Sequence, residues 1–423
     1  MFERSGQKKS EAIAALDIGT KKVACIIAVP DDNFGMRMIG KGIAASRGMK
    51  AGAVTDMAAV EEAIRSAVGK AERMAGVAVQ AVSVNVGNRS LRSDYLNVQT
   101  EFASGEVADR DLKRVLGSSL SEFSQPEYVI LHALPQTWSV DNENGIRDPR
   151  GMFGKKLGVD MHFVLSSVGP LRNLAHCIDR RHLNIRNVLA SPYAAGLSVL
   201  TADEKDLGSM VIDMGGGVTS MSIFRDNTLV YTDAIALGGH NVTNDIARVL
   251  MTPPEAAERI KLLYGSALRG MDNDQDIVPC PPMGAQDELH EEPRSLLNEV
   301  INARIVEIFQ HLRARLEKKG MEHYCGRRIV LTGGGANLNG ARELAEQIFN
   351  KRVRIGVPHG IMGLGDHLSR PEFAVVTGLL LQDHSNVQEA ISGPPDLSGQ
   401  RYRSKRYNGS GFTRSLKWLR DNF

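Results

Sequence analysis

Ala14-Ala15-Leu16-Asp17-Ile18-Gly19-Thr20-Lys21-Lys22-Val23-Ala24-Cys25-Ile26-Ile27 has an echo 196 positions later, Met210-Val211-Ile212-Asp213-Met214-Gly215-Gly216-Gly217-Val218-Thr219-Ser220-Met221-Ser222-Ile223. Asp17 aligns with Asp213 and Gly19 with Gly215. Each copy reads as an apolar strand, an Asp, a small-residue turn and a second strand. Two such hairpins facing each other offer what a phosphate chain needs. Turns without Cβ atoms let backbone N–H groups approach phosphate oxygens. An Asp at each strand end can hold the water shell of a divalent cation. Gly215 to Gly217 as a ligand-free hairpin turn is the plainer reading, but it leaves the paired copy at Asp17 unexplained.

Arg328-Ile329-Val330-Leu331-Thr332-Gly333-Gly334-Gly335-Ala336-Asn337-Leu338 is a third signal, again a strand running into glycines. Its weaker counterpart is Ala81-Val82-Ser83-Val84-Asn85-Val86-Gly87-Asn88. The order hairpin, strand-Gly, hairpin, strand-Gly predicts two related α/β halves with a nucleotide between them. These motifs resemble the actin/Hsp70/sugar-kinase ATPase superfamily, in which the two hairpins are the phosphate loops and the strand-Gly-Gly-Gly segment cups the adenosine.

With 423 residues, 42% hydrophobic and 24% charged, the chain has room for two or three domains with ample core. Cys25, Cys177, Cys280 and Cys325 lack CxxC spacing and read as free thiols that fill the core. The eleven histidines form no HxxxH or HExxH pattern. The apolar run Ile13 to Val29 is interrupted by Asp17, Lys21 and Lys22, so neither a signal peptide nor a spanning helix is expected there, and the cytoplasm is the expected compartment. The net charge of +2 hides an asymmetry, because residues 401–423 carry seven Lys/Arg against one acid, Asp421. An anionic partner is expected for that tail alone.

Along the chain, Asp56 is placed to N-cap a helix with the stripe Val60, Ile64, Ala67, Val68 and Ala71, stopped by Gly76. Residues 87–166 read as a compact α+β insert whose stretch Asp141 to Gly158 is turn-rich. Pro253 and Pro254 open a helix containing Glu258 and Lys261, a pair that on spacing alone reads as solvated i, i+3 charge. Lys22 reads as exposed charge. Met271 to Pro293 reads as a surface excursion. A long helix follows with Leu297, Ile301, Ile305, Ile308, Leu312 and Leu316 on one stripe. From Asp383 to Gly411 apolar periodicity disappears, as expected of a flexible linker. In the last segment Phe412, Leu416, Leu419 and Phe423 fall within about 60° on a helical wheel. Lys417, Arg420 and Arg414 flank them on one side and Trp418 on the other, the composition of an interfacial membrane helix. The same stripe could instead dock on the protein's own body, a reading that the basic flanks and long linker disfavour.

The core, the insert, the Glu-x-x-Lys helix and the basic amphipathic tail together resemble the FtsA family of bacterial cell-division proteins, over nearly the whole chain. The resemblance implies an actin/Hsp70-like duplicated ATPase fold. Residues 1–83 and 166–200 would form the first half (1A), 84–165 the inserted α+β subdomain (1C), 201–236 and 300–383 the second half (2A) and 237–299 subdomain 2B. A linker at 384–411 and a membrane-targeting helix at 412–423 complete the chain. It implies ATP and Mg²⁺ as ligands. Gly19, Thr20 and Lys21 would form the first phosphate loop and Gly215, Gly216 and Gly217 the second. Asp17 and Asp213 would order the metal's waters and serve catalysis. Gly334, Gly335 and Asn337 would line the adenosine, Glu258 and Lys261 the adenine or ribose, with Gly239 near the sugar. It further implies filaments on the cytoplasmic face of the inner membrane at the division site. Its partners would be the C-terminal peptide of FtsZ, bound within about Leu237 to Leu297, and other divisome proteins, with no nucleic acid.

Two departures stand out. Ser191 precedes Pro192 where many superfamily ATPases have Glu or Gln, and His240 follows the Gly-Gly pair where relatives have an acid. Loss of groups that orient an attacking water implies at most slow ATP hydrolysis. A small-molecule kinase would need a placed carboxylate base, and no acid beyond Asp17 and Asp213 offers one. A pilus-type actin-like adaptor shares the core and is set apart mainly by the tail.

Overall fold

The computed structural model describes residues 12–31, 35–123, 125–270, 275–284, 289–382, 389–391 and 395. Two five-strand arrays carry the fold. In the first sheet the spatial order is Asn184–Ala190, Ala81–Val86, Ile13–Ile18, Lys22–Asp31, Gly35–Ala45. In the second, Arg352–Ile355, Arg328–Thr332, Ser209–Met214, Thr219–Arg225 and Thr228–Ile235 repeat that order element for element. The repeat extends to register. Asp17 lies opposite Ala24 and Asp213 opposite Ser220, seven residues on in both copies. Each hairpin also runs parallel to its strand-Gly neighbour. Strands Ile13–Ile18 and Ser209–Met214 are buried at every position, the reason both read as unbroken apolar runs around one Asp.

Helices cover these sheets where the sequence periodicity places them. Met57–Ala75 is N-capped by Asp56, which accepts from the Ala59 amide at 3.1 Å, and ends at Gly76 in the left-handed region. The stripe of Arg294–Lys319 is buried from Leu297 to Leu316. Helices Ser191–Val199 and Ala374–Leu381 are apolar almost all round and pack on each other between the two arrays, the first chiefly on the second array and the second on the first sheet. All four cysteines are buried free thiols. Among the described residues no helix is long and apolar enough to cross a membrane.

The insert comprises strand Arg92–Glu106, helix Asp109–Glu122, strands Tyr128–Val140 and Glu143–Ile146, and strand Phe153–Ser167. The stretch Asp141 to Gly158 holds the expected turns, at 141–142 and 147–152, between strand Glu143–Ile146 and the start of strand Phe153–Ser167. Its sheet does not stand alone. Arg92 pairs with Asp233, which fuses the insert to the second array as one nine-stranded sheet. Tyr95 Oη donates to the Val230 carbonyl at 2.7 Å, and the Thr232 amide donates to Ser93 Oγ at 2.7 Å. Burial pushes His162 down to about 4. Its ring is thus neutral, with Nδ1–H donating to the Leu229 carbonyl at 2.8 Å and Nε2 accepting from Ser93 Oγ at 2.7 Å. The insert leaves the chain from the first half yet seals against the second.

The expected surface excursion and the expected linker both carry structure. Within 271–293, Ile277–Cys280 and His290–Pro293 pair as a hairpin that buries Val278 and Cys280. Within the expected linker, Ala390 is buried against the insert. Phe412, Leu416, Lys417, Trp418, Leu419, Arg420 and Phe423 lie outside the described residues.

Candidate functional site

The two hairpin turns meet across a cleft between the halves. Each is closed by the same bond, Gly19 N–H to the Lys22 carbonyl and Gly215 N–H to the Val218 carbonyl, both 3.0 Å. A Cβ on Gly216 would lie 2.8 Å from Lys21 Cγ, and one on Gly217 would lie 2.7 Å from Thr20 Oγ1. The turns approach so closely that only glycine leaves backbone open toward the cavity. That cavity measures about 550 Å³, within the range of small-molecule sites. It is lined by Asp17, Gly19, Thr20, Lys21, Asp213, Gly215, Gly216, Gly217, Gly239, Glu258, Lys261, Gly334, Gly335 and Asn337. Every cleft residue singled out from sequence thus lies on one wall system, although the segments span more than 300 positions.

Asp17 and Asp213 sit at the floor. Burial pushes Asp17 up to about 6, with Lys22 pulling the other way. Burial pushes Asp213 up to about 7, and the neighbouring Asp17 charge adds to the rise. Two carboxylates that resist ionisation together form a site that gains by taking up a cation. Gly333, at φ +82°, turns the third strand beneath them, where a Cβ would fall 2.3 Å from Asp213 Oδ1. Among the described residues no group of three or more His, Cys, Asp or Glu could hold a metal directly. A cation here therefore has two carboxylates and whatever a ligand brings.

The opposite wall is the Glu-x-x-Lys helix, Pro254–Tyr264. Its charged pair is not solvated, as spacing alone had implied. Lys261 is 9% exposed and donates to Glu258 Oε2 at 2.9 Å, Thr243 Oγ1 at 2.9 Å and the Gly239 carbonyl at 3.2 Å. Burial lowers its pKa, and Glu258 partly restores it. Burial pushes Glu258 upward, but Lys261 and the Thr243 hydroxyl outweigh it and hold the carboxyl below its usual range. Lys21 reaches across the cleft to the same Glu258 Oε2 at 3.3 Å. Helix Gly239–Val249 docks on the second hairpin through Gly239 N–H to Gly215 O and His240 N–H to Gly216 O.

Three lining residues escaped the sequence reading of the site. Lys22, expected to be exposed, lies in the cleft and donates to the Glu372 carbonyl, with its ammonium 4.6 Å from the Phe373 ring centroid. Asn85 accepts from the Ile18 amide at 2.8 Å and donates to Ser191 Oγ at 3.1 Å. Glu372 accepts from Asn337 Nδ2 at 2.9 Å. Asn85 follows an apolar strand just as Asp17 does, and a buried amide at that position was the available signal.

The family model described as Cell division protein FtsA matches residues 210–378, and that of the SHS2 domain inserted in FTSA matches residues 88–165. A cell division protein FtsA from Rhizobium meliloti (strain 1021) is 39% identical over 428 residues, covering 98% of this chain and 96% of its own length. The chain belongs to the FtsA family. The Pseudomonas aeruginosa relative is 33% identical over 98% of this chain and 99% of its own, and the Escherichia coli K12 relative 30% over 97% and 98%. Solved structures place the fold among actin-like proteins. A PilM-PilN type IV pilus biogenesis complex matches with TM-score 0.62 and 18% identity, over 88% of this chain and 98% of the other. MreB5 of Spiroplasma citri bound to ADP matches with TM-score 0.53 and 13% identity, over 88% and 97%. The matched SHS2 span coincides with the insert sealed against the second half.

The contact between turns makes a direct prediction. Gly216→Val should weaken Mg·ATP at least tenfold, because its side chain enters the space between the two turns. The closest atom to the new Cβ is Lys21 Cγ, on a side chain that can move, while Lys21 Cβ and Thr20 Cβ stand at 3.6 Å, so the thermal midpoint should fall by only a few degrees, about 2–4 °C. Calorimetric titration alongside thermal melts checks both.

Proposed function

We propose that the chain is an actin-like ATP-binding division protein that polymerises on the cytoplasmic face of the inner membrane and tethers FtsZ filaments to it. The observation that carries the nucleotide assignment is the pair of register-matched hairpins facing each other over two buried carboxylates. Gly19, Thr20, Lys21 and Gly215 to Gly217 would hold the phosphates through backbone N–H groups and the Lys21 ammonium. Asp17 and Asp213 would hold Mg²⁺ through its waters, the metal's usual preference. Magnesium supplies charge neutralisation between phosphate oxygens and these carboxylates. Glu258, Lys261, Gly239, Gly334, Gly335 and Asn337 would bound the nucleoside. The MreB5 structures with ADP and AMPPNP support a nucleotide in this fold.

Turnover should be slow. At the floor of the cleft Ser191 Oγ is held by Asn85, and it offers an attacking water neither the charge nor the reach of Glu or Gln. The steady-state rate is expected below about 0.1 per second, and a rate near the ordinary enzyme median of about 10 per second would contradict this.

The FtsZ peptide is assigned to the segment from about Leu237 to Leu297. There Val249, Met251, Ile277, Met283 and Leu289 are exposed away from the cleft lining, apolar side chains that a bound peptide would cover. Family membership favours this role over the pilus-type adaptor, whose likeness is one of fold. It also favours it over a small-molecule kinase, for which the cleft offers no further acid at its floor. Co-sedimentation with FtsZ, anionic vesicles and Mg·ATP tests the whole reading. FtsZ should reach the vesicle pellet only when this chain is present, and its absence from the pellet would overturn the tether.

A further inference from the structure

Residues 389–391 of the C-terminal segment are attached to the body by specific chemistry. The Ala390 amide donates to the Ala133 carbonyl at 2.7 Å, and Ala390 and Ile391 join the apolar core of the insert. Glu389, with its side chain 15% exposed, spends one carboxylate oxygen on each of two partners. Oε2 lies 3.1 Å from His132 Nδ1, and Oε1 accepts from Tyr193 Oη at 3.2 Å.

His132 is fully buried on strand Tyr128–Val140. Its other nitrogen, Nε2, accepts from the Ala190 amide at 3.0 Å. A nitrogen that accepts from a backbone N–H carries no proton. The ring proton therefore sits on Nδ1 and points at Glu389. The Tyr193 ring stands edge-on to the imidazole at 4.7 Å and fixes its plane. Ala190 is the residue before Ser191, which lines the cleft and is held by Asn85, the side chain that receives the Ile18 amide of the first hairpin. Buried, singly satisfied contacts thus run without a gap from Glu389 through His132 and Ala190 to the floor of the cleft.

We propose that Glu389 is the clasp that fastens the C-terminal segment to the body, and that His132 couples the state of this clasp to the cleft wall at Ser191. The coupling rests on the nucleotide reading of that cleft; the clasp does not. Among the described residues, two carboxylate contacts, one backbone bond and the apolar contacts of Ala390 and Ile391 hold the segment, so few that it is among the attachments that open first while the cores stay folded. Docked and released segments are then the two states that both sites bias. Pulling from the C-terminal side would load Ile391 and the Ala390–Ala133 bond first, and the Glu389–His132 contact after them. Without the carboxylate, the Nδ1 proton loses its acceptor, and the ring is free to leave Ala190.

The test uses the full chain, with Glu389→Ala, Glu389→Gln and the parent. Hydrogen–deuterium exchange is read at 389–391 and at 184–193, and Mg·ATP affinity by calorimetry. Glu389→Ala should speed exchange at both segments at least fivefold and weaken Mg·ATP about three- to tenfold. Glu389→Gln retains an acceptor oxygen and should fall between Ala and parent. Saturating Mg·ATP should in turn slow exchange at 389–391 in the parent, since linkage is reciprocal. Unchanged exchange at 389–391 in Glu389→Ala would overturn the clasp. Faster exchange there with Ala190 and Mg·ATP affinity unmoved would overturn the coupling. If the parent binds no Mg·ATP, the nucleotide reading and the coupling to nucleotide both fall, and exchange at 389–391 and Ala190 still decides the clasp.

Discussion

Replacing Asp213 by Asn should abolish Mg·ATP binding and at the same time stabilise the empty protein. Both outcomes follow from one fact, the burial of two carboxylates beside each other. Their pKa values in the folded chain, about 6 for Asp17 and about 7 for Asp213, lie above the unfolded value of 3.8. The native state therefore holds these protons more tightly than the unfolded chain. The stability linked to them is fully present below about pH 4 and is lost as pH rises through 6 and 7. At pH 8 the empty cleft carries two charges that it does not solvate. Asp213→Asn removes one charge and the repulsion with it, and should add about 1–3 kcal/mol at pH 8, read as a higher thermal midpoint. At pH 5 the gain should shrink, because the wild-type group is then protonated. Mg·ATP affinity should fall at least 100-fold, about 3 kcal/mol, since the metal's waters lose one of two anionic acceptors. In the parent, Mg²⁺-dependent affinity should decline as pH falls through 7 and 6, when protons compete for the same oxygens. A variant that binds Mg·ATP as well as the parent would sink the assignment. One that binds weakly and is also less stable at pH 8 would show that Asp213 is structural. Functional sites that cost stability in this way are a familiar pattern.

Leu416→Glu should release the chain from membranes at any salt concentration. Full burial of Phe412, Leu416, Leu419 and Phe423 would contribute about 1.5–3 kcal/mol each, reduced by partial burial at an interface and by the cost of forming a short helix. Each nearby Lys or Arg adds about 1 kcal/mol on an anionic surface. What remains would be a weak single anchor. Filament formation would strengthen it through multivalency, so on the proposed function anchor and polymer would depend on each other. Lys417→Gln with Arg420→Gln should weaken binding chiefly on anionic lipid at low salt, where screening is least. Flotation with neutral and anionic vesicles across a salt series separates the two contributions. If Leu416→Glu floats like the parent, the tail is not the anchor.

The sequence by itself determined the duplicated hairpins, the strand-Gly segments and the helices, because each is written in local patterns. Unbroken apolar runs around Asp17 and Asp213, the Asp56 cap with its Gly76 stop, and the stripe Leu297 to Leu316 need only neighbours along the chain to be read. The glycines of the cleft were legible because a turn that admits no side chain has few other residues to choose from. Only the tertiary structure decided which face of the insert is sealed, since the Arg92–Asp233 seam joins residues 141 positions apart and leaves no periodic trace. It also drew Lys22 into the cleft through the Glu372 carbonyl, a backbone partner invisible to composition. It turned Glu258 and Lys261 from a helix-surface pair into a cleft-wall pair with Lys261 buried, by packing Thr243 and Gly239 against the ammonium. Most plainly, Glu389 sits in a stretch whose composition reads as linker. Its carboxylate finds a fixed partner because His132, 257 positions away, has already committed its other nitrogen to the Ala190 amide. A polar residue's role depends on which buried donor is left without an acceptor, and that is settled only when distant strands and helices close around it.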